Sequence, residues 1–121
     1  MADRLEEFRV FRERMNERIL EAGNLEIKRF FALDSRCYAP GALDARTKEL
    51  LGLVASLVLR CDDCVTYHLL RCSEEGLARA EIVEAMSVGL VVGGSIVIPH
   101  LRRAVDRLSE IEARRSGRAE G

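Results

Sequence analysis

The chain has 121 residues, 48% of them hydrophobic and 32% charged, which is the length and composition of one ordinary globular domain. Its formal net charge of -1, from 19 basic and 20 acidic residues, offers no basic surface for nucleic acid or an anionic membrane. The longest nearly apolar stretch, 85–98, is interrupted by serines and glycines and falls short of the roughly 20 residues that span a bilayer. The charged N-terminus lacks the apolar segment of a signal peptide. We therefore expect a single cytoplasmic domain over 1–121, with no membrane or nucleic-acid partner.

The N-terminal segment, 2–36, is predicted to carry two helices. Apolar residues at steps of three and four predict an amphipathic helix over 3–22, which Gly23 and Asn24 end, and a shorter helix over 25–33. The following stretch, DSRCYAPGALD, contains a proline and a glycine that disfavour helix. Cys37 is therefore expected in a loop.

The remaining helices form a predicted core unit over 43–114. Their predicted ranges are about 44–60, about 62–75, about 79–93 and a last amphipathic helix that ends near 114, before a frayed tail over 115–121. Asp44 is the expected N-cap of the first, apolar helix, which should lie at the centre of the fold. Gly76 is expected to end the second helix in a left-handed conformation. Because no segment alternates with period two, we expect an all-α bundle of about six helices, whose apolar faces are completed by homo-oligomerisation.

A C-x-x-C-x-x-x-H motif is formed by Cys61, Cys64 and His68. On a helix these positions are i, i+3 and i+7, so both sulfurs and the imidazole project from one face. A thiolate near a helix N-terminus is stabilised by the backbone dipole, and a histidine one turn later can accept its proton. Cys64, four residues before His68, is the predicted nucleophile. Cys61 is the predicted thiol that resolves oxidised Cys64 into a disulfide.

Other interpretations of the motif remain open from the residues alone. Asp62 and Asp63 oppose a thiolate beside them, so the direction of the pKa shift of the thiols is not fixed. A zinc ion could take the two cysteines and the histidine of the motif, with Cys72, Cys37 or His100 as a fourth ligand. No second pair of ligands with such spacing supports that site. The cysteines could also be small buried hydrophobic residues.

Three further features are predicted to be structural. Cys72 lies eight residues after Cys64, too far for a disulfide within one helix, and is expected in the core. His100 follows a proline at the start of the last helix and is expected at the surface or in a cap. Gly89 and Gly93 form a G-x-x-x-G spacing that allows two helices to approach closely.

The segment from about 43 to 103 resembles the carboxymuconolactone decarboxylase-like family, and within it the alkylhydroperoxidase D-like branch. Its most specific element is the C-x-x-C-x-x-x-H motif with a glutamate, Glu49, twelve residues before the first cysteine. The resemblance implies that Cys64 attacks a hydroperoxide, that Cys61 resolves the product, and that Glu49 joins His68 through a hydrogen-bonded water to move a proton. It also implies an all-helical homo-oligomer, often a trimer or hexamer, a lipoyl-type or other dithiol reductant, and no bound organic or metal cofactor.

Two positions depart from the pattern of this branch. Asp63 stands where the best-studied peroxidases have a histidine, and Ala78 replaces a capping threonine, a loss of about 1 kcal/mol of helix stability. We expect a thiol-dependent peroxidase or disulfide reductase that acts on hydroperoxides. The alternatives are a lactone decarboxylase, although decarboxylating relatives lack the C-x-x-C pair, and a non-enzymatic, zinc-stabilised assembly module.

Overall fold

A computed structural model describes the backbone of residues 3–120 and the side chains of residues 3–117. Over this range the chain forms six α-helices and one short 3-10 helix with no strand, which confirms the all-α prediction. The helices are α1 (Arg4–Glu21), α2 (Leu25–Cys37), α3 (Ala45–Val58), α4 (Asp62–Glu74), α5 (Arg79–Gly93) and α6 (Ile98–Glu120), with the 3-10 helix at Ser95–Val97. None of these helices combines the length and the apolar character needed to cross a membrane.

The chain divides into two compact units, one that ends at Ala39 and one that begins at Pro40. In the first unit, Asp3 caps α1 by accepting a hydrogen bond from the backbone N–H of Leu5 at 3.0 Å. Gly23 has a φ of 77° and separates the two helices as predicted. Asn24 then caps α2 by accepting from the N–H of Ile27 at 3.0 Å. The expectation that 1–121 forms one domain stays a prediction.

The predicted end of α2 is wrong. The helix continues to Cys37, which is its last residue and does not lie in a loop. The N–H of Tyr38 still bonds to the carbonyl of Asp34, at 3.3 Å. Pro40 and Gly41, the predicted loop signal, act only three residues further on, because proline restricts mainly itself and the residue before it.

The second unit is built around α3, as predicted. This helix packs against both α4 and α5, and α4 packs against α6. The fully buried side chains of the unit come from all of these helices and include Leu53, Leu57, Leu69, Cys72, Ile82, Met86 and Leu108. A Cβ on Gly89 would lie 3.3 Å from Leu57 Cδ2, which confirms that this glycine allows a close approach of α5 to α3. Leu51, on the opposite side of α3, is exposed.

Local signals set most helix ends of this unit correctly. Asp44 accepts a hydrogen bond from the N–H of Thr47 at 2.8 Å and caps α3. Gly76 follows α4 with a φ of 81°, the expected left-handed conformation. Half of a capping box replaces the lost threonine at α5, since a carboxylate oxygen of Glu81 accepts from the N–H of Ala78 at 2.9 Å.

The predicted end of α6 near residue 114 is wrong. The helix continues to Glu120, through the stretch that was expected to be frayed, and Gly121 lies outside the described residues. A single glycine, Gly117, costs only about 1 kcal/mol inside a helix and does not end one by itself. Arg115 adds a tertiary anchor, because it donates to the carbonyl and, at 2.7 Å, to the hydroxyl of Ser73 on α4.

Candidate functional site

The two cysteines of the motif lie at the start of α4. Arg60 has a φ of 61° and turns the chain from α3 into α4. Cys61 is the N-cap of α4, and its Sγ accepts a hydrogen bond from the backbone N–H of Cys64 at 3.3 Å. Cys64 is exposed and Cys61 is half-buried. The thiol of Cys64, the predicted nucleophile, is therefore accessible to a small molecule. The sulfur of Cys61, the predicted resolving thiol, contacts the backbone N–H of Cys64.

The structure fixes the direction of the pKa shift that the sequence left open. Partial loss of water around its sulfur, the hydrogen bond with Cys61 and the charge of Asp63 raise the pKa of Cys64 to about 11. At neutral pH the thiol therefore keeps its proton. Chemistry at Cys64 needs a base that removes this proton as the sulfur reacts.

Glu49 and His68 form a buried pair that joins α3 to α4. Nδ1 of His68, on α4, lies 2.9 Å from Oε2 of Glu49, on α3, and the two side chains are only 9% and 4% exposed. The contact is direct, whereas the resemblance implied a bridging water. A carboxylate at Nδ1 favours the tautomer with a proton on that nitrogen and leaves Nε2 as the basic atom. His68 is four residues after Cys64, so the two side chains are neighbours on one helix face.

Arg71 is a third partner in this cluster that the sequence analysis missed. Its Nε lies 3.7 Å from Oε1 of Glu49, and its other nitrogens contact Glu74 at 2.5 Å and Glu75 at 3.0 Å. The guanidinium therefore lies near the carboxylate oxygen that His68 does not contact. One signal was available, because position 71 is three residues after His68 and so falls on the same helix face.

The position of Glu49 on α3 is itself a sequence signal for this site. It shares a stripe of α3 with Leu53, Ser56 and Leu57, all of which are buried. A charged residue on a buried stripe is uncommon unless it is paired. That argument would have found Glu49 from periodicity, without the resemblance.

His100, which we expected at the surface or in a cap, contacts the segment that carries the motif. Its Nδ1 is 2.8 Å from Oδ1 of Asp62, which stands between the two cysteines, and Arg103 lies 3.4 Å from the other oxygen of Asp62. The histidine side chain is 21% exposed. No local pattern indicates this contact, because the two partners are 38 residues apart in sequence.

The remaining cysteines lie elsewhere. Cys72 is completely buried, as predicted, and this burial raises the pKa of its thiol to about 12. Cys37 is exposed at the end of α2. Among the described side chains, no group of three or more histidine, cysteine, aspartate or glutamate residues is arranged to hold a metal ion. The zinc interpretation of the motif thus gains no support from the geometry.

Comparison with known sequences gives a family match. The sequence model of the carboxymuconolactone decarboxylase family matches residues 27–107. Uncharacterized protein 4 in the cox locus of Paracoccus denitrificans is 32% identical over 83 residues, which cover 69% of this chain and 75% of that protein. An uncharacterized protein of Cupriavidus necator is 30% identical over 54 residues, 45% of this chain and 48% of its own.

Comparison with solved structures agrees with this match. The crystal structure of TM1620 from Thermotoga maritima is 57% identical, has a TM-score of 0.91, and is matched over 93% of this chain and 98% of that one. A carboxymuconolactone decarboxylase family protein of Legionella pneumophila has a TM-score of 0.82 at 19% identity, over 91% and 98% of the two chains, and shows the shared fold alone. The family model and these relatives together establish that the chain belongs to the carboxymuconolactone decarboxylase family.

Proposed function

We propose that the protein is a thiol-dependent peroxidase or disulfide reductase that reduces hydroperoxides at the Cys61 and Cys64 pair. The observation that carries this proposal is the combination of an exposed thiol, a second sulfur at its backbone, and a buried carboxylate-histidine pair one helical turn away. Peroxide reduction by a thiol requires each of these features. The exposed thiol is accessible to the peroxide, the second sulfur is a resolving thiol, and the paired histidine is the base that a thiol of high pKa needs.

In the first step, Nε2 of His68 takes the proton of the Cys64 thiol as the sulfur attacks the terminal peroxide oxygen. A bond forms between sulfur and that oxygen, the O–O bond breaks, and the alcohol leaves after it receives the proton from His68. The peroxide is reduced by two electrons and Cys64 is oxidised to a sulfenic acid. Glu49 supports this step, since its carboxylate at Nδ1 stabilises the imidazolium that forms.

In the second step, the sulfur of Cys61 attacks the sulfenic sulfur of Cys64. The S–S bond forms, the S–O bond breaks, and the hydroxide leaves as water with the proton of the Cys61 thiol. An external dithiol, of lipoyl or other type, then returns both cysteines to thiols by exchange and becomes a disulfide itself. Reduced cysteines of this kind persist in the cytoplasm, so we propose that compartment for the reaction.

A related protein supports the proposed class of reaction. An antioxidative role has been suggested for TM1620 of Thermotoga maritima, which shares 57% of its aligned residues with this chain. Lactone decarboxylation, the alternative function, would make no use of two adjacent thiols. The dithiol and its base therefore favour peroxide chemistry.

We further propose that the protein acts as a homo-oligomer, as a trimer or a hexamer. No residue of α2 is buried, and the helix exposes large apolar side chains at Leu25, Phe30 and Leu33. Helix α5 exposes Val88, Val91 and Val92 in the same way. Apolar side chains grouped on helices are typical of surfaces that contact another protein. Light scattering of the purified protein tests this proposal, which a monomer at micromolar concentration would contradict.

The test of the proposed function is steady-state consumption of an organic hydroperoxide in the presence of dihydrolipoamide. We expect one dithiol to be oxidised for each hydroperoxide reduced, with no activity when Cys64 is alkylated beforehand. Hydroperoxide that disappears no faster than in protein-free controls, with either dihydrolipoamide or dithiothreitol, would contradict the proposal.

A further inference from the structure

A second charged cluster lies at the start of α4 and has no part in the steps described above. Asp62 is the first residue of α4 and stands between the two cysteines in sequence. His100 contacts its Oδ1 at 2.8 Å and Arg103 its Oδ2 at 3.4 Å. Both partners come from the first part of α6. The segment that bears the cysteines is thus tied to another helix.

Asp62 and Asp63 are neighbours with the same charge but different surroundings. The charge of Asp63 is one of the causes that raise the pKa of the Cys64 thiol. The carboxylate of Asp62, in contrast, is bound through both of its oxygens to side chains of α6. The negative charge of Asp63 therefore acts electrostatically on the Cys64 thiol. The contacts of Asp62 instead hold the start of α4 to α6.

Asp62, which contacts side chains of α6, is well placed to control how the sulfurs of Cys61 and Cys64 approach each other. Cys61 lies outside the helix as its N-cap, after a residue with left-handed φ. Its backbone N–H donates to the carbonyl of Ser56 and its carbonyl accepts from the N–H of Val65. Its side chain is directed to Cys64 by the hydrogen bond that Sγ accepts from the N–H of that residue. A disulfide forms only when Cα positions and side-chain directions are favourable. The rate of such a ring closure depends on how often the two groups are in the reactive arrangement.

We propose that His100 is a positioning residue of the dithiol: through Asp62, and together with Arg103, it holds the turn from which Cys61 attacks oxidised Cys64. This inference rests on the proposed peroxidase function and concerns its second step alone. The Asp62 and Arg103 side chains are 43% and 60% exposed, and ion pairs with such exposure contribute little to folding stability. The effect of the cluster is therefore expected in the rate of disulfide formation.

The experiment follows both steps in one rapid-mixing reaction with one equivalent of organic hydroperoxide. A dimedone-type reagent traps the sulfenic acid, and quenched samples are analysed for the Cys61 to Cys64 disulfide by mass spectrometry. His100→Ala should slow disulfide formation about tenfold, while the rate of sulfenic acid formation stays within about twofold of the native rate. His100→Asn, which keeps a hydrogen-bond donor near the place of Nδ1, should recover most of the lost rate.

Asp63→Asn is the matched control, since it removes the same charge one position away from the anchor. It should leave unchanged the rate constant for conversion of the sulfenic acid to the disulfide, whereas Asp62→Asn should lower that rate constant as His100→Ala does. The double variant of Asp62 and His100 should be no slower than Asp62→Asn alone, because that change already breaks the contact that His100→Ala removes. Asp62→Asn also serves as the principal variant if His100→Ala does not fold.

Two results would overturn the inference: disulfide formation at the native rate in both His100→Ala and Asp62→Asn, or additive losses in the double variant. Absence of any sulfenic acid or disulfide in the native protein is a different result, because it contradicts the proposed function itself. The two failures are therefore distinguishable in the same measurement.

Discussion

Cys64 and Cys72 are two thiols on one helix, in the first and the third turn of α4. Burial raises the pKa of both, to about 11 and about 12. Cys64 is nevertheless exposed, has a second sulfur at its backbone and lies one turn before a paired histidine, whereas Cys72 is completely enclosed. In the proposed mechanism, access, a base and a resolving thiol distinguish Cys64 from Cys72, and the raised pKa that they share does not.

Removing each thiol in turn is the strongest test of this difference between Cys64 and Cys72. Cys64→Ser should reduce hydroperoxide consumption by more than about a thousandfold, because serine is a far weaker nucleophile at this site. Cys61→Ser should keep the first step and accumulate a sulfenic acid on Cys64, detected by dimedone labelling. Cys72→Ala should retain the activity. Equal activity in all of these variants would refute the assignment of the dithiol.

Removing the carboxylate that supports the base should have the next largest effect. Glu49→Gln keeps the shape of the side chain but not the charge at Nδ1 of His68, so hydroperoxide reduction should slow about a hundredfold. The pH profile should also move toward higher pH, because hydroxide must then deprotonate Cys64. Glu84→Gln, an exposed glutamate on α5, is the control for loss of one negative charge. A normal rate and pH profile in Glu49→Gln would remove Glu49 from the relay.

A smaller effect is expected from the charge beside the nucleophile. The thiolate fraction of Cys64 should rise with pH toward its pKa of about 11, and alkylation by iodoacetamide should rise with it. Asp63→Asn removes one cause of the raised pKa and should therefore speed alkylation at pH 8 about threefold. Slower alkylation in this variant would show that Asp63 assists the thiol and does not oppose it.

The smallest expected effect concerns stability and comes from Cys72. Its pKa is about 12 in the folded protein against 9.0 for an ordinary thiol, so above pH 9 the unfolded state loses this proton and the folded state keeps it. Stability should therefore fall as pH rises from 9 to 12, with a loss of about 1.4 kcal/mol at pH 10 from this thiol. Urea unfolding at pH 8 and pH 10 measures the slope. An equal slope in Cys72→Ala would contradict the assignment.

Local sequence signals predicted most of the fold, because helix ends depend on a few neighbouring residues. Asp44, Gly76 and Gly94 stand at or beside the predicted helix ends, and α3, α4 and α5 have nearly the predicted bounds. The ends of α2 and α6 were placed too early, since a proline acts mainly on its nearest residues and a single glycine does not stop a helix. Both predictions overestimated how strongly a proline or a glycine disrupts the helix around it.

The candidate site was predictable to the extent that it lies on one helix. The spacing of Cys61, Cys64 and His68 is local, and the structure brings the two cysteines together at the first turn of α4. Contacts between helices have no such local pattern. The side chains that join α4 to α3 are 19 residues apart in sequence, and those that join α4 to α6 are 38 residues apart. Glu49 came from the resemblance. Arg71 shares a helix face with His68, but its contact with Glu49 required the structure. The link from Asp62 to His100 required the structure as well.

The central claim, that Cys61 and Cys64 form a redox-active pair, is tested most directly by one measurement. The reduced protein is treated with one equivalent of an organic hydroperoxide, and the product is mapped by intact mass and peptide analysis. Our account predicts the loss of two hydrogens, located in a disulfide between Cys61 and Cys64 that dihydrolipoamide reverses. Thiols that remain unreacted, or oxidation that falls on Cys37 or Cys72, would contradict it.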